Sequence, residues 1–273
     1  MSLNQNSLKH TLAVLLPCVF TVGRIICGYY AVMSAFRGMS LMDGTTGLAT
    51  DPGPFENAAK AIALAVLFDI LDGKVARLVG SASRFGREFD SLADVVTFGM
   101  APAILCYVWG VMPILPNLPA QSARVLNVAG WFAACTFLVC GALRLARFNL
   151  GDDEPTDTKH RHFDGLPIPA GAAVVASIVY FVKLPSIDIR YGIAWLVLVV
   201  ILALLMISRL RYEPPFGVVT VFMRHPLVLF CFVCLLLWAL WVHSNYVFLV
   251  LALSYAISGP ITHIVFRLRP ALN

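Results

Sequence analysis

Four aspartates lie close together in a chain that otherwise avoids charge. Asp69 and Asp72 form one pair, Asp90 and Asp94 form another, and the sequence on either side is strongly apolar. Ionised carboxylates are costly near hydrocarbon, so their presence in such surroundings indicates a functional site. Four hard oxygen ligands suit one or two divalent cations such as Mg²⁺ or Mn²⁺. Two such ions could grip a diphosphate and neutralise charge on a phosphoryl group, while one carboxylate accepts a proton from an attacking hydroxyl.

The spacing within each pair predicts that both of its aspartates lie on one face of a helix. Asp69 and Asp72 are at i,i+3, and Asp90 and Asp94 are at i,i+4, which are the spacings of neighbours on a helical surface. Two helices that turn near Gly80 would bring both pairs to similar depths at one membrane boundary. Such a cluster of carboxylates repels itself unless cations neutralise it.

An alternative is that the acids pair with the basic residues of the same hairpin, whose charges balance them locally. These residues are Lys74, Arg77, Arg84 and Arg87. Arg87 is at i,i+3 from Asp90, which is a favourable spacing for an ion pair. Neither Lys74 nor Arg77 has such a spacing to an aspartate of the first pair. Divalent cations therefore explain the cluster better.

Two small residues follow the first pair of aspartates. Gly73 and Ala76 each stand four residues after an aspartate, so the helix face beside the carboxylates is bare and an extended ligand could approach the backbone. Small residues also let membrane helices pack tightly, which explains either residue alone equally well. The neighbouring Arg77 offers a planar fork suited to phosphate.

The rest of the chain consists of long apolar segments. Of 273 residues, 59% are hydrophobic and 13% are charged, and the mean hydropathy is +0.82, which indicates an integral membrane protein. Continuous rather than alternating apolar runs favour helices over a β-barrel. We predict an all-α, polytopic transmembrane bundle of about eight helices. Their approximate ranges are 12–36, 58–79, 85–111, 126–148, 169–182, 191–207, 226–242 and 246–266.

Lys and Arg predict how the chain is oriented. With a cytoplasmic N-terminus, fourteen of these residues fall on the cytoplasmic side and five on the outer side, while Arg24 lies within the first span. This bias places both termini and the aspartate cluster at the cytoplasmic side of the cell membrane. No cleaved signal peptide is expected at the N-terminus. The acidic-then-basic loop 151–165 is expected to be solvated, with a substrate lid as the alternative.

The chain is predicted to form one membrane domain over residues 1–273. Its catalytic core covers about 12–210, and two additional helices cover about 226–266 and serve packing or dimer contacts. The seven cysteines lie in apolar runs and are interpreted as small hydrophobic residues. The formal charge of +5 is not gathered into a basic surface with interleaved aromatic residues, so no nucleic-acid partner is expected.

These residues together resemble the signature of the CDP-alcohol phosphatidyltransferases. The matching pattern is Asp69-x2-Asp72-Gly73-x2-Ala76-Arg77-x8-Gly86-x3-Asp90-x3-Asp94. The family consists of integral membrane enzymes that move a phosphatidyl group from a CDP-linked lipid to an alcohol and release CMP. The resemblance implies that the four aspartates bind two divalent cations and that Asp94 is the general base. It also implies a CDP site at Asp69, Gly73, Ala76, Arg77 and Gly86, and a homodimer.

Three further stretches resemble phosphatidylserine synthases of the bacterial and archaeal membrane type. They are residues 90–103, 143–149 and 163–170. The resemblance implies CDP-diacylglycerol and L-serine as substrates. Related enzymes that use glycerol 3-phosphate, inositol phosphate or choline are the alternatives within the family, although phosphatidylglycerolphosphate synthases often carry Lys where this chain has Val95. A divalent-cation transporter is the alternative from another class, but it predicts acids near mid-membrane and related halves.

Four arginines are candidates for binding the serine carboxylate or the lipid phosphate, because a carboxylate near the bilayer boundary needs a cationic partner. Arg144 and Arg147 are at i,i+3 near the cytoplasmic end of the fourth segment, and Arg84 and Arg87 lie beside the aspartates. Anchoring of the helix ends by snorkelling explains each arginine equally well when it is taken alone.

Overall fold

The computed structural model describes residues 5–79, 84–151, 163–212 and 226–268. These parts of the chain are almost entirely helical, with two short strands. In chain order the elements are α1 (Gln5–Ser40), α2 (Gly53–Val79), α3 (Arg84–Asp94), a π-helical segment (Val95–Met100), α4 (Ala101–Gly110), a 3₁₀ segment (Met112–Asn117), α5 (Ala120–Gly151), β1 (Phe163–Asp164), α6 (Ile168–Val182), α7 (Ile189–Ile207), β2 (Arg211–Tyr212) and α8 (Pro226–Leu268).

The predicted polytopic helical bundle is confirmed, while the count of eight spans stays a prediction. In the described residues, five helical stretches are long and apolar enough to cross a membrane: Cys18–Ser40, Phe85–Asn117, Ala120–Leu150, Ile189–Ile207 and Val242–His263. Helix α6 is apolar but has 15 residues, fewer than the roughly 20 needed to span hydrocarbon without help. The two last predicted segments fall on α8, which breaks at His243, with φ −134° and ψ 48°. The five long apolar stretches indicate an integral membrane protein.

Small buried residues let the helices approach one another closely. Helix α1 runs along α2, α5 packs against α7, and α6 packs against α2 and α8. Alanines on the first two helices are fully or almost fully buried, among them Ala31, Ala35, Ala58 and Ala65. Helices associate in lipid through such close packing, because the surrounding hydrocarbon provides no hydrophobic driving force between them. This packing holds α1 against the hairpin of α2 and α3.

The helix that carries the second pair of aspartates changes its hydrogen bonding directly after Asp94. Sequence patterning predicts one continuous span there, but the structure has α3, the π-helical segment and α4 in succession. The Thr97 hydroxyl in the π-helical segment donates to the carbonyl of Arg24 on α1 at 3.2 Å. A Cβ added to Gly28 would lie 2.9 Å from the Thr97 Cα, so the two backbones are in contact here. Short π-helical turns often accompany functional sites.

A turn at Gly165 fixes the start of α6 against the end of α7. Strands β1 and β2 are antiparallel, with Phe163 opposite Tyr212. Gly165 has φ +83°, and a Cβ there would lie 2.2 Å from the Met206 carbonyl oxygen, so glycine is required. The predicted lid in loop 151–165 falls mostly on residues 152–162, which lie outside the described part of the chain.

Candidate active site

Helices α2 and α3 bring the aspartates together as the predicted hairpin requires. Single carboxylate oxygens of Asp69, Asp72 and Asp90 lie within 4.8 Å of one another. Asp94 lies one helical turn beyond Asp90 at the end of α3. The spacings i,i+3 and i,i+4 account for this arrangement, because each pair projects from one face of its helix towards the other helix.

The four carboxylates differ in how far water can reach them. The side chain of Asp90 is 45% exposed and that of Asp69 is 25% exposed. The side chains of Asp94 and Asp72 are only 11% and 8% exposed. The cluster is therefore open along Asp69 and Asp90 and closed beneath Asp72 and Asp94. A substrate that arrives from the open side reaches the deeper carboxylates last.

A buried arginine on α1 completes the cluster. The guanidinium of Arg24 hydrogen-bonds to carboxylate oxygens of Asp69 and Asp90, and its Nη2 also donates to the Asp90 carbonyl oxygen at 3.2 Å. Its Nη1 lies 3.0 Å from Asp94 Oδ1 and 3.7 Å from Asp72 Oδ2. The Arg24 side chain itself has no exposed surface. One cation thus contacts all four carboxylates.

Sequence reasoning noted Arg24 only as a charge within the first span and gave it no role. The signal was available, because an ionisable residue inside a membrane segment almost always has a partner in the bundle. The ion-pairing alternative considers only the basic residues of the hairpin as partners of the aspartates. In the structure the shared cation is Arg24 on α1, a residue 45 positions before Asp69 in sequence. Spacing rules within one helix cannot detect such a contact.

The described structure bears on the packing explanation for Gly73. This residue is exposed on α2, and a Cβ added to it would meet no atom of the described neighbouring structure within 4 Å. No described helix therefore needs a small residue at this position for packing. Ala76 and Arg77 follow on α2, but their side chains are outside the described part. Gly86 lies in the first turn of α3 and is partly exposed.

Of the three candidate arginines outside the signature whose side chains are described, Arg144 is buried near the cluster. It is 9% exposed, and its Nε has no hydrogen-bond partner among the residues that the structure describes. It interacts electrostatically with Tyr255 on α8 and with Asp94. Arg147, one turn later on α5, is exposed, as is Arg87 on α3. The side chain of Arg84 lies outside the described part.

The end of α5 is also joined to α3 by a polar contact that sequence reasoning missed. The amide of Asn149 donates to the hydroxyl of Ser91 at 2.9 Å, and that hydroxyl donates to the carbonyl of Arg87 at 3.0 Å. Ser91 directly follows Asp90. Asn149 therefore helps to hold the helix that carries the second pair of aspartates.

Helix α8 reaches the site from the C-terminal part of the chain. The Tyr212 hydroxyl on β2 donates to the Ala256 carbonyl at 3.1 Å, and the rings of Tyr212 and Tyr255 are 5.9 Å apart. Burial raises the pKa of Tyr212 to about 12, so the phenol keeps its proton and acts as a donor. The sequence predicts only packing or dimer contacts for the two segments that fall on α8, whereas in the structure Tyr255 of α8 interacts with Arg144.

The donor set fits divalent cations. Asp69, Asp72 and Asp90 offer three carboxylate oxygens at mutually short distances. Asp72 Oδ2 and Asp94 Oδ1 are buried and have no hydrogen-bond partner in the described structure. Arg24 is the ion-pair partner of both oxygens, and hard cations such as Mg²⁺ and Mn²⁺ also prefer carboxylate ligands. The residues that the sequence predicts as metal ligands therefore have both the chemistry and the proximity that a metal site needs.

Clustered carboxylates at one end of a helical membrane bundle are the arrangement expected of an enzyme that handles phosphorylated substrates with divalent metal ions. The profile of one such family, the CDP-alcohol phosphatidyltransferases, matches residues 14–207. This match covers well over half of the chain, so the chain belongs to that family. The resemblance seen in the sequence is confirmed.

Several relatives carry the name CDP-diacylglycerol–serine O-phosphatidyltransferase. The Methanocaldococcus jannaschii protein is 37% identical over 156 residues, which cover 57% of this chain and 63% of that protein. The Helicobacter pylori 26695 protein is 34% identical over 200 residues, 72% of this chain and 71% of that protein. The Mycobacterium leprae protein is 36% identical over 163 residues, 58% of this chain. The chain spans 48% of the Mycobacterium leprae protein's length.

Proposed function

We propose that this protein transfers the phosphatidyl group from CDP-diacylglycerol to L-serine, giving phosphatidylserine and CMP. The observation that carries the reaction type is the gathering of four carboxylates on the hairpin of α2 and α3. The names of the relatives support serine as the acceptor, as do the three sequence stretches that resemble phosphatidylserine synthases. Family membership gives no support to a cation transporter.

Asp69, Asp72, Asp90 and Asp94 are proposed to bind two divalent cations, Mg²⁺ or Mn²⁺. When bound, such ions neutralise the negative charge of the diphosphate and of the CMP that leaves. The graded exposure of the carboxylates fits this role. Asp69 and Asp90 lie at the open side, where a diphosphate carried by a lipid can arrive from the membrane boundary.

Asp94 is proposed as the general base. Its carboxylate accepts the proton of the serine hydroxyl, the hydroxyl oxygen forms a bond to the lipid-side phosphorus, and the bond from that phosphorus to CMP breaks. Asp94 is suited to this step because it is 11% exposed, so bulk water does not compete with serine for its oxygens. General-base catalysis of this kind contributes about 10²- to 10⁴-fold to a rate.

The nucleotide is proposed to lie along Gly73, Ala76, Arg77 and Gly86, beside Asp69. The open space over Gly73 supports this placement. Arg144 is proposed to bind the serine carboxylate or the lipid phosphate, because it is buried near Asp94 with an unpartnered Nε. The exposed Arg87 and Arg147 are proposed to contact the same anions, and so is Arg84.

The location and assembly of the protein are further parts of this proposal. The distribution of Lys and Arg supports the cytoplasmic membrane, with both termini and the active site facing the cytoplasm. Family resemblance supports a homodimer. Cysteine labelling of single-cysteine variants in intact cells tests the orientation, and the mass of the protein within its detergent micelle tests the dimer.

The acceptor is tested with purified full-length protein in detergent. CDP-diacylglycerol and labelled serine are expected to yield labelled phosphatidylserine with divalent metal and none with excess chelator. Parallel reactions contain glycerol 3-phosphate, inositol phosphate or choline in place of serine. Release of CMP that depends on one of these alcohols and not on serine would end the serine proposal while leaving the reaction type intact.

A further inference from the structure

Arg24 and divalent metal ions require the same carboxylate oxygens. The guanidinium binds Asp69 and Asp90, two of the three aspartates whose oxygens cluster within 4.8 Å. It also lies 3.0 Å from Asp94 Oδ1, a buried oxygen that has no hydrogen bond within the described part of the chain. A cation bound by these carboxylates must therefore share them with Arg24 or displace it.

The backbone around Arg24 is held firmly in this position. Its carbonyl accepts a hydrogen bond from Thr97 at 3.2 Å, and the Phe98 ring centroid lies 5.8 Å from its guanidinium carbon. Gly28, one turn further along α1, allows contact with the π-helical segment. The arginine is thus a built part of the cluster, with its backbone bound to the π-helical segment and its guanidinium between Phe98 and the carboxylates.

The formal charges explain why this competition matters. Four ionised carboxylates with Arg24 carry a net charge of −3. One divalent cation brings the site to −1, and a second brings it to +1. The second ion is therefore opposed by Arg24 unless an anion arrives with it. The diphosphate of a CDP-linked lipid is such an anion, and it also offers the guanidinium a new partner.

We propose that Arg24 balances part of the charge of the four carboxylates, that it competes with divalent cations for them, and that it thereby makes tight metal binding depend on the diphosphate of the substrate. This role rests on the metal-binding part of the proposed function and is independent of the acceptor alcohol. It assigns to the first helix a regulatory contribution to a site that the hairpin otherwise forms.

Binding of Mn²⁺ tests this role without any turnover. Purified full-length protein is stripped with chelator, and free Mn²⁺ is followed by electron paramagnetic resonance during titration, with and without CDP. Arg24→Gln is expected to bind Mn²⁺ about 5- to 150-fold more tightly than wild type in the absence of CDP, the usual range of coupling between two sites. The gain in affinity that CDP gives is expected to be smaller in this variant than in wild type.

The sign of the change separates competition from a purely structural role. If Arg24 only positioned the carboxylates, its loss would weaken Mn²⁺ binding. Arg37→Gln removes the same charge from the same helix away from the cluster, and it is expected to bind Mn²⁺ as wild type does. Arg24→Lys keeps the charge but cannot fork between two carboxylates, and an intermediate affinity is expected. If Arg24→Gln does not elute as a folded protein, the Mn²⁺ affinity of Arg24→Lys distinguishes competition from a structural role.

The proposal would be overturned if Arg24→Gln bound Mn²⁺ no more tightly than wild type in the absence of CDP. If Arg24→Gln does not fold and Arg24→Lys is used instead, a wild-type affinity of Arg24→Lys for Mn²⁺ would overturn it as well. Wild type that binds no Mn²⁺ even with CDP would overturn both this role and the metal-binding part of the proposed function. A protein that follows the expected Mn²⁺ titrations but does not use serine would lose only the acceptor proposal.

Discussion

Replacing Gly73 with alanine distinguishes a glycine kept for a ligand from one kept for helix packing. In the described structure nothing lies within 4 Å of the position that a Cβ would take at Gly73. The new methyl group therefore meets no strain, and an exposed helix interior gains up to about 1 kcal/mol when glycine becomes alanine. We expect the variant to unfold at the same temperature as wild type or at a slightly higher one.

The same methyl group occupies the face along which the nucleotide is proposed to lie. Overpacking at a close contact costs typically about 1–3 kcal/mol, which corresponds to roughly 5- to 150-fold in an equilibrium constant. We therefore expect the KM for CDP-diacylglycerol to rise within this range, while the KM for serine changes little. A larger residue in Gly73→Leu is expected to raise the KM further.

Gly28→Ala is the matched control, because the same change is made on a neighbouring helix at a position of opposite character. A Cβ at Gly28 would lie 2.9 Å from both the Cα and the Oγ1 of Thr97, so α1 must move away from the π-helical segment. This variant is expected to lose about 1–3 kcal/mol of stability, seen as a lower unfolding temperature in detergent. A Gly73→Ala variant with an unchanged KM for CDP-diacylglycerol would refute the proposed nucleotide face, and one that loses stability as Gly28→Ala does would restore the packing explanation.

Three other substitutions test separate parts of the site. Asp94→Asn is expected to lower kcat for metal-dependent CMP release by about 100-fold or more, and a folded variant with full activity would refute the general base. Arg144→Gln is expected to raise the KM for serine or for CDP-diacylglycerol by about tenfold, because one charge-assisted hydrogen bond is lost. The control Arg147→Gln, at an exposed position, is expected to change either KM far less. Equal effects of the two substitutions would contradict the role proposed for Arg144. Gly165→Ala is expected to lower the unfolding temperature, because φ +83° and the Met206 carbonyl 2.2 Å from the new Cβ both oppose it; an unchanged temperature would contradict the tight turn.

The spacing of the aspartates was sufficient to predict their clustering on the hairpin, because residues three or four positions apart in one helix lie on the same face. The intervals between Asp69 and Asp72 and between Asp90 and Asp94 specify one helical face each, and the structure brings three of these carboxylates within 4.8 Å. The same reasoning could not find Arg24 or Tyr255, since each reaches the site from a helix distant in sequence. Spacing within one helix holds no information on which residue of another helix will lie opposite.

The π-helical segment was also beyond prediction from apolar periodicity. A continuous apolar run predicts an uninterrupted span, and residues 95–100 interrupt that run only with Thr97 and Gly99, which do not by themselves predict a π-helical turn. The change in hydrogen bonding becomes intelligible only with the contact between Thr97 and the Arg24 carbonyl at 3.2 Å. Partners on α1 decide the local geometry of α3 and its continuation, so the pattern of one helix alone was insufficient.

The contacts of Arg24 explain how four carboxylates can be held together before a substrate binds. Carboxylates at such short distances repel one another strongly where water is scarce, and the deeper two are only 8% and 11% exposed. A divalent cation that remained bound permanently would solve this problem, but it would also keep its ligands engaged between turnovers. An arginine whose backbone is anchored by Thr97 neutralises part of the charge, and under the role proposed for it the carboxylates are released when the metal ions and the diphosphate arrive together. Through Arg24 the first helix thus stabilises the hairpin that carries the four carboxylates.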